Sequence, residues 1–386
     1  MSVDYVPGNQ VQLLENGVQF FPALIADIAA ARTEIHLETY IFQDDTTGRQ
    51  VANALCRAAS RGVTVRVLID GFGSKDLPDS VVTQLCDAGI DVLVFRPERI
   101  GFWLRHQHLR RLHRKIVLID AHIAFVGGIN IIDDFDMPGQ TPPRFDYAVR
   151  VQGPVLDEVV PVVHRLWRLV KWTQARRRGR SGRGLAADPR PAGTQRAAFL
   201  VRDNLRHRRD IEQAYLDAIA AARDEIFIAN AYFLPGIRFR RALVDAAQRG
   251  VRVTLLLQGR VEYRLLHYAT RALYGQLLGA GVNICEYHSS FLHAKVAVID
   301  TQWSTVGSSN IDPFSLLLAR EANILVDDTA FAAQLRNSLQ AAIDAGGHCL
   351  PTHGNAYSTR WARVLAWLAY ASVRFMMGML GYAKHR

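Results

Sequence analysis

The residues best suited to chemistry occur in two copies. His113, Lys115 and Asp120 stand in HRKIVLID, and His293, Lys295 and Asp300 stand in HAKVAVID, so both stretches read HxKxxxxD. Each is followed, after six intervening residues, by a small-residue turn and an asparagine: Gly127, Gly128 and Asn130 in one copy, Gly307, Ser308, Ser309 and Asn310 in the other. The valines and isoleucines between mark both motifs as strands. Positions i and i+2 of a strand share a face, so each histidine projects beside its lysine. On a phosphodiester, the ammonium would neutralise the non-bridging oxygens while the imidazole acts at phosphorus or on the leaving oxygen. Gly128 and Ser308 are candidates to bring backbone and hydroxyl donors to the phosphate, with amides from Asn130 and Asn310. Asp120 and Asp300 lie an odd number of positions beyond their histidines. On a straight strand they face away from them, which predicts a supporting role without proton transfer.

The elements that must hold these residues also come twice. Ala23 to Ala31 reads as a helix, Glu34 to Phe42 (EIHLETYIF) as a strand, Arg61 to Asp70 (RGVTVRVLID) as a glycine-ended helix running into a strand, and Gly89 to Phe95 as another strand. Glu225 to Phe233 (EIFIANAYF), Arg249 to Leu257 (RGVRVTLLL) and Ala280 to Ile284 repeat three of these in the same order. The chain is therefore expected to be α/β, built as two homologous lobes, each a mixed sheet flanked by helices. The lobes are placed at 1–175 and 196–347, with a linker at 176–195 and a tail at 348–386. Leu156 to Thr173 reads as an apolar helix carrying Arg165, Arg168 and Lys171. The linker opens on the arginine-rich run Arg176 to Gly184, which reads either as a solvated connector or as a contact for anionic headgroups.

Lys and Arg number 46 against 36 Asp and Glu, a formal charge of +10 that favours phosphate-rich partners without choosing between nucleic acid and anionic lipid. A hydrophobic content of 49% excludes general disorder. Cys56, Cys86, Cys285 and Cys349 are widely spaced and form no zinc-type cluster, so all are expected to be reduced core thiols and no metal is expected. Met1 to Gly17 lacks a basic start followed by an apolar run, so no export signal is expected there.

The paired motifs, together with GVQFFPALIADIAAARTEIHLETYIF, LHRKIVLIDAHIAFVGGIN and FDYAVRVQGP, make residues 8 to 345 resemble the phospholipase D superfamily, and within it the bacterial cardiolipin synthase branch in its short form without N-terminal membrane spans. The resemblance implies pseudo-two-fold lobes that place both motifs in one cleft. It further implies that a phosphatidyl group passes from phosphatidylglycerol through a phosphohistidine to an alcohol of a second phospholipid, releasing glycerol. His113 would attack, and His293 would serve as acid and then base. Glu321 (REANILV) and Asp146 (FDYAVRV) match positions that orient the histidines in that superfamily. No cofactor or metal is implied, and neither nucleic acid nor an obligatory protein partner is expected. A phospholipase D hydrolase, or a phosphodiesterase or nuclease of the same superfamily, is the competing reading. A dry acceptor pocket could draw on Tyr40, Phe42, Phe102, Trp103, Tyr232 and Phe233, which equally suit core packing.

The tail differs in kind. At about 100° per residue, Arg360, Arg363, Arg374 and Lys384 fall on one face near Trp367 and Tyr370, and Val364, Leu365, Leu368, Phe375, Met376 and Met379 fall on the other. This predicts an amphipathic helix lying in an anionic membrane surface, peripheral on the cytoplasmic side of the inner membrane, with His348 to Thr359 as its hinge. Arg374 in mid-span argues against crossing, and packing against the lobes is the alternative.

Overall fold

A computed structural model describes residues 3–97, 110–135, 142–174, 184–203, 207–261, 264–312, 319–351 and 360–379. The first lobe runs β1 (Val6–Glu15), α1 (Asn16–Ala30), β2 (Glu34–Thr39), α2 (Thr46–Ser60), β3 (Thr64–Asp70), α3 (Asp79–Asp87), β4 (Asp91–Phe95), β5 (Arg111–Leu112), β6 (Lys115–Ile119), β7 (Ile123–Gly127), β8 (Tyr147–Gln152) and α4 (Leu156–Thr173). The second runs β9 (Gln195–Arg202), α5 (Asp210–Ala221), β10 (Glu225–Asn230), α6 (Ile237–Gln248), β11 (Arg252–Gln258), α7 (Arg264–Arg271), α8 (Tyr274–Gly279), β12 (Asn283–Tyr287), β13 (Lys295–Ile299), β14 (Trp303–Gly307), β15 (Ala319–Asp327) and α9 (Thr329–Gly346). After them come β16 (Gly347–Cys349) and α10 (Arg360–Met379).

The strand order is β4-β3-β2-β6-β7-β8-β1 in one lobe and β12-β11-β10-β13-β14-β15-β9 in the other, joined by antiparallel pairing of β1 with β9. The two halves thus mirror each other in order about that central pair. The duplication extends to the backbone. Gly62 and Gly250 turn at φ 91° and 90°, Gly89 and Gly281 at 83° and 88°, and the motif aspartates Asp120 and Asp300 at 51° and 52°. The glycines adopt this left-handed geometry without a Cβ penalty, and aspartate tolerates it better than most residues.

β2 is buried on both faces, so its alternation is chemical rather than wet against dry. Ile35 and Leu37 enter the first-lobe core with Leu24, Ile28, Val51 and Leu55, while Glu34, His36 and Glu38 occupy the other face, buried yet paired. Glu38 accepts from the Arg114 guanidinium, and Glu34 from Arg66 at 3.1 Å. Buried charges of this kind persist only when matched. A central core takes residues from both lobes beneath α4 and α9, including Ile116, Leu118 and Val159 with Val296, Val298 and Leu335. The lobes therefore share an interior.

One expectation needs correction. Cys285 and Cys349 are joined in a disulfide, because antiparallel pairing of β12 with β16 sets them directly opposite across 64 residues of sequence; Cys86 is exposed. On α10 the apolar candidates Val364, Leu365, Leu368 and Phe375 are exposed, while the side chains of Arg360, Arg363 and Lys384 lie outside the described residues. Ala366, Ala369 and Val373 form a buried small-residue stripe against the second-lobe core, with α7 its main helical neighbour, while Trp361, Leu365, Trp367, Leu368 and Phe375 stay exposed. No helix among the described residues is long and apolar enough to cross a membrane. Phe102, Trp103, most of the arginine-rich run, most of the hinge, and Lys384 lie outside the described residues.

Candidate active site

Each motif histidine sits just before its strand, where the opposite lobe holds it. The His113 N–H donates to the carbonyl of Arg320 at 3.0 Å, and the His293 N–H to that of Phe145 at 2.8 Å. The residues that follow those two acceptors are Glu321 and Asp146, and their carboxylates close the same latch through the side chains. His113 Nδ1 lies 3.0 Å from both Glu321 oxygens, and His293 Nδ1 lies 2.6 Å from Asp146 Oδ2. Both pairings cross between lobes. With Nδ1 occupied in each ring, Nε2 is the nitrogen left for chemistry, the tautomer being set by the carboxylate.

The lysines are buried beside them. Lys115 Nζ donates to its own motif's His113 carbonyl at 2.7 Å, and Lys295 Nζ donates likewise to the His293 carbonyl and stands 3.7 Å from Asp146 Oδ2. Burial, helped by the charge of Lys295, pulls the Lys115 pKa down to about 7 despite Glu321. Cations crowded in this way favour an incoming anion, which would restore full charge to Lys115.

The two histidine-carboxylate pairs are not equivalent. Burial acts to raise the Glu321 pKa, but His113, Arg202 and Lys115 overcome it and hold the carboxyl below its ordinary value. Ser308 Oγ donates to Glu321 Oε2 at 2.5 Å, and Arg202 to Oε1 at 3.4 Å. Asp146 has a backbone donor in Tyr147, at 2.8 Å, and burial pushes its pKa up to about 6. His113 is lowered by burial, with Glu321 opposing; His293 is lowered well below its ordinary value by burial together with Lys295 and Arg144.

Asp120 accepts from the N–H groups of Arg32, Thr33 and Glu34 at 2.7–2.9 Å, and Asp300 from those of Arg223, Asp224 and Glu225. They brace the turn ahead of the neighbouring strand and point away from the histidines. For Gly128 and Ser308 the phosphate-donor expectation is corrected. Their N–H groups donate to the Tyr147 and Ala322 carbonyls at 2.9 and 3.0 Å, and the Ser308 hydroxyl serves Glu321. What Gly128 supplies is room, since a Cβ there would collide with both oxygens of the Asp146 carboxylate. Asn130 Oδ1 accepts from the Ile41 N–H at 3.1 Å, whereas Asn310 Oδ1 is buried with no hydrogen bond among the described residues.

Of the aromatic candidates, Phe42 and Phe233 are core. Tyr232 is half-buried. Tyr40 lies edge-on to His113 with ring centroids 4.9 Å apart, and Lys115 Nζ sits 5.3 Å from the Tyr40 ring. Sequence reasoning missed Arg202, which bridges Glu321 and Ser309, and the Arg144–Phe291 pair beside His293. An arginine closing the apolar strand AAFLVR was the only trace of the first. Glu34, His36 and His164 cluster closely enough to suggest a metal, but the Arg66 guanidinium, 2.8 Å from His36 Nε2, occupies that place with its own charge.

The family model for "Cardiolipin synthase, PLD-like domain" matches residues 24–134 and 215–343, one segment in each lobe. Cardiolipin synthase B of Escherichia coli K12 is 40% identical over 382 residues, 99% of this chain and 92% of that protein. Cardiolipin synthase B of Salmonella typhimurium is 43% identical over 343 residues, 89% of this chain and 82% of that one. Cardiolipin synthase A of Yersinia pestis is 32% identical over 345 residues, 86% of this chain and 69% of that one. Among solved structures, phosphatidylserine synthase of Haemophilus influenzae superposes with a TM-score of 0.72 at 14% identity, covering 98% of this chain and 96% of that one, which shows the shared fold. With both segments of the family model falling on the duplicated lobes and near-full-length identity to its members, the chain belongs to the cardiolipin synthase family of the phospholipase D superfamily.

Proposed function

We propose that this protein makes cardiolipin by transferring a phosphatidyl group from phosphatidylglycerol to a hydroxyl of a second phospholipid, through a phosphohistidine on His113. The observation that carries the reading is the reciprocal pairing of two histidines, each held at Nδ1 by a carboxylate of the other lobe, with two buried lysines beside them. His113 Nε2 attacks phosphorus, forming a P–N bond as the P–O bond to glycerol breaks, and the His293–Asp146 pair gives the departing oxygen its proton. The acceptor hydroxyl then returns a proton to that pair and attacks phosphorus, breaking the P–N bond and freeing His113. Lys115 and Lys295 stabilise the non-bridging charge throughout.

The unequal environments support this order. An ionised Glu321 keeps the proton of His113 on Nδ1, so Nε2 carries a lone pair and the developing phosphoimidazolium has a counter-charge. Asp146 can hold a proton near neutrality, so it and His293 form a coupled donor that supplies Nε2–H without a permanently charged imidazole. Incubating the protein with phosphatidylglycerol labelled in glycerol and in phosphate, then identifying products by mass, tests the proposal. Cardiolipin plus one glycerol is expected. Phosphatidic acid as the main product would replace transfer by hydrolysis, and DNA cleavage without lipid turnover would remove the lipid reading.

Attachment to the membrane surface is assigned to α10. Its exposed Trp361, Leu365, Trp367, Leu368 and Phe375 can enter the headgroup boundary while Ala366, Ala369 and Val373 keep the helix docked on the enzyme. Leu365→Asp with Leu368→Asp should lower partition onto vesicles containing phosphatidylglycerol at least tenfold without shifting Tm. Undiminished binding would place the anchor elsewhere.

A further inference from the structure

Strand alternation sends every second side chain of the catalytic strands to the reverse face of the sheet. Arg114, between His113 and Lys115, turns away from both and meets Glu38 and the Val162 carbonyl of α4. Arg320 precedes Glu321 in the same manner. Behind the sheet these two, with Arg165, line a cavity of about 340 Å³ that α4 walls with Leu166 and Leu169; Arg202 also borders it, its guanidinium turned to Glu321 and Ser309. That volume falls in the range of small-molecule sites, about 300–1,000 Å³.

The charges are unevenly matched. Glu38 balances Arg114 and Glu321 balances Arg202. Arg165 is exposed at the mouth, Arg320 is half-buried inside, and neither side chain makes a hydrogen bond or ion pair among the described residues; Asp203, also in the wall, and Glu38 offset Arg320 electrostatically. Guanidinium groups gathered around a partly desolvated space are suited to bidentate contact with a phosphate. The apolar wall does not stop at the rim. Leu169 is 46% exposed and Trp172, one turn further along α4, is 69% exposed, so an oily strip leads from the cationic cavity to the surface. A free anion has no use for that strip, and a nucleic acid would call for a longer basic track.

We propose that this cavity is a second lipid site, in which Arg165 and Arg320 hold the phosphate of an intact anionic phospholipid whose acyl chain runs out along Leu169 and Trp172. It rests on the reading that this protein works on phospholipids, but not on which reaction it performs. The site lies on the reverse face of the segments that carry His113 and Glu321. Its occupant is joined to them through Arg202, which reaches Glu321, and through the Arg320 backbone, which holds His113.

The test uses the full chain carrying His113→Ala, so that no covalent intermediate forms. Dihexanoyl phosphatidylglycerol below its micellar concentration is titrated calorimetrically, and a photoreactive acyl analogue maps contacts. One site more than the donor and acceptor positions of the active site is expected, with crosslinks to the Leu156–Thr173 helix from that additional site. Arg165→Glu, a surface change that leaves folding intact, should weaken that one site at least tenfold and abolish those crosslinks; Arg320→Gln should do the same at unchanged Tm. Absence of crosslinks to that helix in the parent, or crosslinks and site count unaffected by Arg165→Glu, overturns the proposal. So does inorganic phosphate binding there as tightly as the lipid, or displacement of the lipid by a short oligonucleotide at lower concentration. Turnover of the unsubstituted enzyme is measured separately, so failure of the transfer reaction and failure of this site remain distinguishable.

Discussion

Replacing Glu321 by glutamine should disable a histidine that belongs to the other lobe. The substituted side chain would keep the shape of the original but offer one acceptor oxygen where the carboxylate offers two, and its amide nitrogen would face donors. In the native site those oxygens receive His113 Nδ1–H at 3.0 Å, Ser308 Oγ at 2.5 Å and Arg202 at 3.4 Å. A hydrogen bond to a charged group is worth about 1.5–3 kcal/mol, so losing the ionised partner of His113 and one further bond amounts to about 4 kcal/mol, or roughly 10³-fold in rate. Part of that loss falls on the phosphoimidazolium, which loses its counter-charge. The assay is rapid-quench turnover of phosphatidylglycerol labelled in phosphate, scoring acid-labile phosphoenzyme and released glycerol in the first cycle. Both should appear about 10³-fold more slowly, and combining the change with His113→Ala should cost nothing beyond His113→Ala alone, because the two act as a unit. A folded Glu321→Gln enzyme retaining first-cycle rates within tenfold of the parent would refute the orienting argument.

Gly128→Ala should impair the other pair, since the added methyl must displace the Asp146 carboxylate that fills the space beside it; a kcat loss of roughly 10²-fold is expected for overpacking on the order of 1–3 kcal/mol, and an unaffected kcat would show that the carboxylate has slack. Asp120→Ala should act on stability instead: three N–H acceptances at about 1 kcal/mol each predict a Tm several degrees lower with kcat per folded molecule unchanged, and a selective kcat loss would contradict the bracing role. The pH profile of kcat/KM should be bell-shaped. Protonation of His113, whose pKa is below its ordinary value, removes activity on the acid side, and loss of the proton shared by Asp146 and His293, above about 6, removes it on the alkaline side. Glu321→Gln should shift the acid limb lower by removing the charge that supports the His113 proton, and a flat profile from pH 5 to 8 would argue against both assignments.

Much of this site is legible in the linear chain because duplication acts as an internal control. One HxK on a strand is commonplace, whereas two with matched helices, glycines and asparagines are not, and strand parity placed Asp120 and Asp300 away from the histidines. The small-residue turns read less well. Gly128 and Ser308 looked like phosphate donors, but residue type cannot reveal that strand pairing claims their N–H groups or that the gap beside Gly128 is filled by a carboxylate. The disulfide is illegible for a similar reason, since sequence separation says nothing of which strands become neighbours at the sheet edge. On α10 a helical wheel sorts residues by polarity, and it set the large apolar ones toward acyl chains without marking any face that docks on the lobe. The docked stripe is Ala366, Ala369 and Val373, because close approach to the lobe selects small side chains and leaves the bulky ones outside.

The crossing of the carboxylates explains why two lobes make one site. Were each histidine oriented from within its own repeat, either lobe could organise a nucleophile alone, and the copies would be free to drift apart. Here His113 needs Glu321 and His293 needs Asp146, and the backbone latches at Arg320 and Phe145 tie the same segments. Symmetry therefore brings the two rings together, while the proposed mechanism demands difference, since in it one ring attacks as the other delivers a proton. Small substitutions at matched positions break that equivalence. Serine stands at 308 where glycine stands at 128, and glutamate at 321 where aspartate stands at 146. The longer carboxylate gains a hydroxyl and a guanidinium as donors and stays ionised; the shorter one, short of such donors, is driven by burial toward holding a proton. If that asymmetry sets the order of events, Ser308→Gly should raise the Glu321 pKa and slow phosphoenzyme formation in preference to its breakdown. Equal slowing of both steps would mean the division of labour is imposed by the substrates.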